Sequence, residues 1–161
     1  MKYPFEPKST SKLKQGQFWC FKLRDGRYSA SVVLARTTGQ NGKIDTRMLW
    51  AGLLDWVGPE PASAAELISP RLLERGAIHV RCIQMYGQRI LGEIPRDFAG
   101  IPAEMPFSLA ATPGWPVLGM AVMLYRAEDL WGDKQWVAEE RKRQTDALDR
   151  NPQLKKVTID V

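Results

Sequence analysis

One histidine, two cysteines and a longest apolar stretch of only a few turns define this chain first by scarcity. A Cys/His zinc site needs several ligands at short spacing, whereas Cys20, His79 and Cys82 form no CxxC pair and no cluster of four. No metal is expected. Both thiols lie in apolar, strand-like runs and read as buried, reduced side chains, because free cysteine packs as a small hydrophobe. The longest apolar stretch, VLGMAVMLY (117–125), falls short of the about 20 residues that cross a bilayer. The opening MKYPFEPKSTSKLK is polar and has no apolar core of a signal peptide, so the expectation is a cytoplasmic protein with no membrane partner. GxSxG, HExxH, the Walker loop and the dinucleotide fingerprint are missing as well. TTGQNGK (37–43) has glycines and a lysine at the wrong spacing for a phosphate loop and reads as a turn. The expectation is a protein that is not an enzyme and has no cofactor. An enzyme with a site assembled from distant segments is a rival reading, and it requires His79 to sit in a pocket beside an Asp or Glu.

What the chain does have is enough length for a core. Its 161 residues suffice for one domain without disulfides, and 44% hydrophobic with 25% charged residues is a globular balance. The formal charge of +5 raises the question of nucleic acid, and its distribution answers part of it. Lys2, Lys8, Lys12 and Lys14 against Glu6 leave +3 in residues 1–14, while 15–132 and 133–161 each carry only +1. A phosphate-binding face concentrates charge on the folded body. The expected organisation is a basic flexible arm (1–13), a single β-rich domain (14–132) and a C-terminal helix and tail packed on it (133–161).

Along the chain, GQFWCFKLRDGRYSASVVLAR (16–36) reads as a hairpin. With Asp25-Gly26 as a two-residue turn, Leu23 would face Tyr28, Phe21 would face Ala30 and Trp19 would face Val32 on a core face. The other face would be buried only at its open end. MLWAGLLDWV (48–57) fits a buried strand or a short helix. Ser63 with Glu66 has the form of a capping box, and a second short helix is expected from Ser69-Pro70 to Gly76. AIHVRCIQMYGQRILGEIP (77–95) reads as another hairpin turning at Gly87-Gln88, with Met85 opposite Ile90 and Ile83 opposite Gly92. VLGMAVMLYRA (117–127) reads as a strand. Residues 133–152 read as a surface helix with Asp133 as N-cap, a sparse apolar stripe of Trp136, Val137, Ala147 and Leu148, and Asn151-Pro152 as the stop. The expected fold is α+β and predominantly antiparallel β: a bent sheet or partial barrel, two short helices and a C-terminal surface helix.

Six tryptophans are many for this length, and tryptophan dominates interface energetics where it is exposed. Trp19 and Trp56 are expected in the core. Trp115, in PGWP, and Trp131, beside Gly132, fall where chains run over the surface. Arg24 and Arg27 flank the hairpin tip and are expected to reach solvent, where guanidiniums suit an acidic partner. Arg24, Arg27, Trp115 and Trp131 are therefore the candidate partner-binding residues.

The glycine, aromatic strand, DGRY turn and second strand of small and β-branched residues, followed by LWAGLLDWVG and HVRCIQMYGQRILGEIP, resemble the immunity protein 26 family of bacterial polymorphic toxin systems. The resemblance runs over roughly residues 14–96. It implies a β-rich domain that binds a cognate toxin domain stoichiometrically and blocks it, with no catalytic residue and no cofactor. The chain departs from the family in opening with FWCFKL where members often have an aliphatic strand followed by a proline. Its basic balance also differs from the acidic immunity proteins that mimic nucleic acid. The alternative is a small β-barrel that binds nucleic acid, stacking bases on an aromatic sheet face and holding phosphates with the basic arm.

Overall fold

The computed structural model describes residues 3–39, 41–87, 89–107, 116, 118 and 121–153. Near-continuous runs of apolar, aromatic and β-branched residues from Gln17 onward, bounded by turn formers, produce strands β1 (Gln17–Lys22), β2 (Tyr28–Thr38) and β3 (Ile44–Gly58). β4 (Leu72–His79), the short β5 (Gly92–Glu93) and β6 (Glu104–Pro106) follow. Helices α1 (Val122–Trp131) and α2 (Lys134–Arg150) complete the order. The strands form one open sheet in the order β4-β3-β2-β1-β5, antiparallel throughout, and β6 adds to β2 in parallel beyond the end of β1. The fold is α+β and mostly antiparallel, with a C-terminal helix. Three register shifts between β2 and β3, at 29–31, 33–35 and 36–38, bend the sheet in the way bulges do.

Both faces of this sheet are filled. One carries Trp19, Phe21, Val33, Leu49, Leu53 and Ile78 beneath Met123 and Ala127 of α1. The other carries Phe18, Cys20, Val32, Leu34, Trp50 and Leu54, covered by Ala62, Leu67, Ile94, Phe98 and Met105 from the connecting segments. The expectation of a second face buried only at its open end is therefore corrected. The pairing of the first hairpin is corrected too. Trp19 lies opposite Ser31, Phe21 opposite Ser29 and Phe18 opposite Val32, one residue away from the expected register. The cause is the loop. Leu23 N–H donates to the Arg27 carbonyl at 2.7 Å and Gly26 N–H to the Leu23 carbonyl at 3.1 Å, with Gly26 at φ +94°. That is a three-residue turn ending in a left-handed glycine rather than a two-residue one. Because side chains alternate, the one-residue slip exchanges the faces of β2 relative to β1.

Four further expectations change. Residues 48–57 lie wholly in β3, which decides between strand and helix. The segment expected as a helix to Gly76 is β4, where Gly76 pairs with Ala51. A Cβ at Gly76 would fall 2.4 Å from the Pro116 carbonyl, so its bareness lets Pro116 and Leu118 lie against the strand, where each bonds the Ala77 backbone. The expected 77–95 hairpin is absent: Ile83–Gly87 form a wide helical turn, and Gly92 pairs with Phe18 instead. Within 117–127, residues 122–127 are the first half of α1, not a strand. Only half of the expected Ser63/Glu66 capping box forms: Ser63 N–H and hydroxyl both donate to Glu66 Oε2 at 2.7 and 3.0 Å, but Ala64 is the N-cap, with no side-chain cap bond, and the helix is a single tight turn, Ala65–Leu67. α2 has the expected cap, Asp133 accepting from Trp136 N–H at 2.9 Å, and ends at Arg150. Val137 is buried, whereas residues 141–150 are nearly all exposed. Among the described residues no helix is long and apolar enough to cross a membrane.

Candidate functional site

The two candidate arginines are held by the chain itself. The Arg24 backbone N–H donates to Glu128 Oε1 at 2.5 Å, and Asp133 N–H donates to Glu128 Oε2 at 2.7 Å. Glu128, fully buried on α1, thus ties the hairpin tip to the start of α2. The Arg24 side chain, half exposed, donates from Nε to Asp133 Oδ2 at 3.2 Å and lies 4.7 Å over the Trp136 ring. Arg27 donates to the Trp131 carbonyl and, at 2.9 Å, to Asp25 Oδ2. The Arg27 guanidinium holds the Asp25 carboxyl below its ordinary pKa. Asp133 is lowered chiefly by the Trp136 N–H and then by Arg24. Trp131 is half-buried against the α1-side core. Arg24, Arg27 and Trp131 therefore converge on one structural clasp, and Trp115 lies outside the described residues.

His79 closes β4 opposite Met48. Its Nδ1 accepts from Arg81 N–H at 3.1 Å, and partial burial together with the charges of Arg81 and Arg47 lowers its pKa. Asp45 is the nearby carboxylate, but its Oδ1 accepts the N–H groups of Arg47 and Met48 at 2.8 and 3.1 Å and so is committed to a turn. Cys20 and Cys82 are buried, with burial pushing each thiol up to about 11. Among the described residues no three His, Cys, Asp or Glu side chains are gathered as metal ligands need. The aromatic residues of β1, Phe18, Trp19 and Phe21, are each about 2% exposed, so this strand offers no ring to a base without opening the core.

The open surface lies elsewhere, on the segment expected as a flexible arm. Residues 3–13 form a strap laid across the domain. Phe5 and Ile90 exchange backbone hydrogen bonds at 3.1 and 2.9 Å, and Gln84 Nε2 donates to the Pro7 carbonyl at 2.7 Å. Thr10 N–H donates to the Thr46 carbonyl at 3.0 Å and its hydroxyl to the Asp45 carbonyl at 2.5 Å. Thr10 and Leu13 are buried. Between these anchors the exposed side chains of Lys8, Ser11 and Lys12 border a hollow of about 570 Å³ walled by Phe5 and Pro7. A second hollow of about 300 Å³ shares Ser11 and Lys12 and adds Lys14 and Arg36. Arg36 is neutralised by Glu104 at 2.5 Å. Lys8, Lys12 and Lys14 have no ion-pair partner among the described residues. The lysines were visible in the sequence as a local charge excess. Their fixed placement was not, because every anchor of the strap is remote in the chain.

Comparison with protein-family models, with curated proteins and with solved structures found no match for this chain.

Proposed function

We propose that this protein is an immunity-type binder that neutralises a cognate bacterial toxin domain by forming a stoichiometric complex in the cytoplasm. The observation that carries this reading is the use of both sheet faces as core. Recognition then falls to the rim of the domain, which is already ordered and so loses little conformational freedom on binding. The resemblance over residues 14–96 spans β1 to β5 and supplies the toxin as partner. Burial of Phe18, Trp19 and Phe21 weighs against the nucleic-acid alternative, since base stacking needs exposed rings.

The experiment is co-expression of this protein with the C-terminal domain encoded by the gene immediately upstream. Rescue of growth and co-purification of the pair at equal stoichiometry is the expected result. Toxicity unaffected by co-expression overturns the reading. A shift of RNA or DNA at low salt that fades steeply as salt rises supports the alternative instead.

A further inference from the structure

We propose that the strap hollow is the docking site for an acidic segment of the protein partner, gripped by Lys8 and Lys12 with Lys14 at its margin. This inference rests on the immunity reading for the partner's identity and on the strap alone for its chemistry. Three observations carry it. Among the described residues the cations are uncompensated: Lys8, Lys12 and Lys14 form no ion pair, and Glu6 is the one acid that lines either hollow. They are also preorganised, because backbone bonds at Phe5 and Thr10 and the buried Leu13 fix the chain on which they stand. A charged group on a fixed backbone loses less freedom on binding than one on a loose arm. Finally, the charge is joined to shape, since the hollow of about 570 Å³ has Phe5 and Pro7 as apolar wall, beside the Ser9 and Ser11 hydroxyls, which bond to each other at 2.7 Å and leave one O–H to donate.

Those features fit carboxylates carried on a peptide better than a nucleic-acid strand. A strand needs a run of cations tracking its backbone and rings for its bases. Here the neighbouring Arg36 is already paired with Glu104, and the one aromatic in the hollow, Phe5, is half-buried. An acidic loop with two or three Asp or Glu side chains would place one carboxylate at each free lysine, and its remaining atoms would cover Phe5. Such contacts contribute to orientation and on-rate and weaken as salt rises.

The test is the double reversal K8E/K12E, with K142E on the exposed face of α2 as a control for a charge reversal placed away from the strap. All three lysines are exposed, so circular dichroism and the thermal midpoint should match wild type. Two probes are used: the toxin domain from the neighbouring gene, and a fluorescein-labelled decaglutamate peptide read by anisotropy beside a ten-nucleotide oligothymidylate. We expect K8E/K12E to lose at least about tenfold in affinity for the toxin domain and for decaglutamate, and K142E to lose about twofold or less. Equal binding of the toxin domain by wild type and K8E/K12E overturns the inference and leaves the immunity reading standing. No binding of the toxin domain, with decaglutamate bound and K8E/K12E defective, overturns the immunity reading and keeps the docking site. Oligothymidylate bound more tightly than decaglutamate at equal salt, or neither probe bound, overturns the inference.

Discussion

Replacing Glu128 with glutamine tests whether the clasp between hairpin and helices contributes to the stability of the domain. Both carboxylate oxygens accept backbone N–H groups, from Arg24 at 2.5 Å and from Asp133 at 2.7 Å, in a fully buried site. Glutamine keeps the shape but turns one acceptor into an NH2 donor aimed at an N–H. One bond to a charged acceptor is then lost, at about 1.5–3 kcal/mol, and one buried N–H is left without a partner. Together these place the cost of Glu128→Gln at about 3 kcal/mol. With a urea slope of about 2 kcal/mol per molar, the midpoint should fall by about 1.5 M. The control is Glu139→Gln on α2, whose exposed carboxylate accepts from Gln135 at 3.0 Å and whose change should stay within about 0.5 kcal/mol.

Hydrogen exchange gives the same prediction a second readout. The amides of Arg24 and Asp133 should be protected in the wild type, and at least one should exchange faster in Glu128→Gln while the amides of β3 change only with global stability. A midpoint shift no larger than that of Glu139→Gln, or unchanged protection at both amides, would falsify the claim that Glu128 joins these elements.

Among the described residues Ser31 Oγ, a buried hydroxyl, has no partner, whereas Ser29 Oγ donates to the Trp56 carbonyl at 3.3 Å. Ser31→Ala should therefore leave stability unchanged or raise it by up to about 1 kcal/mol, while Ser29→Ala should lower it, both read from the thermal midpoint. A loss for Ser31→Ala equal to that for Ser29→Ala would contradict the assignment. Because burial holds Cys20 and Cys82 near 11, both thiols should react with a disulfide reagent at pH 8 far more slowly in native protein than in urea. Prompt titration of either thiol without denaturant would show that its site is open. Asp25, Glu66 and Asp133 all have lowered pKa values in the folded chain. Their contribution is complete above the ordinary carboxylate pKa of about 4 and is lost as pH falls through the lowered values. Asp133→Asn should flatten that acid limb in urea midpoints measured from pH 7 to pH 2, and an unchanged limb would refute it.

The sequence conveyed composition and the cap of α2 well and pairing poorly. Asp133 was legible as an N-cap because the cap depends on a side chain and the N–H three residues on. β4 was not, since RLLERG is built of helix formers and becomes a strand only through β3, where Glu74 meets Leu53 and Arg75 meets Gly52. α1 was hidden by where its apolar run was cut. Met123 and Ala127 stand one helical turn apart, and Trp131 stands one turn further on, yet 117–127 read alone shows only continuous hydrophobicity. The hairpin slip has a sharper cause. Asp25-Gly26 suits a two-residue turn or the end of a three-residue one, and only hydrophobic alternation can choose between them. β2 has Val32 and Leu34 on one face and Val33 on the other, all fully buried, so its pattern does not choose.

That same two-sided burial determines where recognition is placed. A sheet with one open face would offer its aromatic residues to a ligand, and the cations of residues 1–14 would be auxiliary to it. With α1 over one face and the 59–70 and 94–105 segments over the other, no ring of β1 is available. The strap then changes role. Its anchors at Ile90 and Thr46 belong to two segments that meet only once the sheet has formed, so Lys8 and Lys12 acquire their spacing from the folded sheet rather than from the local chain. Loosening that anchorage without touching a lysine should therefore weaken binding of an acidic segment. Thr10→Val removes the hydroxyl bond to the Asp45 carbonyl and keeps the buried shape. It should reduce decaglutamate affinity by a few-fold while every lysine remains, as expected when part of the affinity comes from preorganisation. Unchanged affinity in a folded Thr10→Val protein would mean that charge alone, and not the geometry of the strap, holds the ligand.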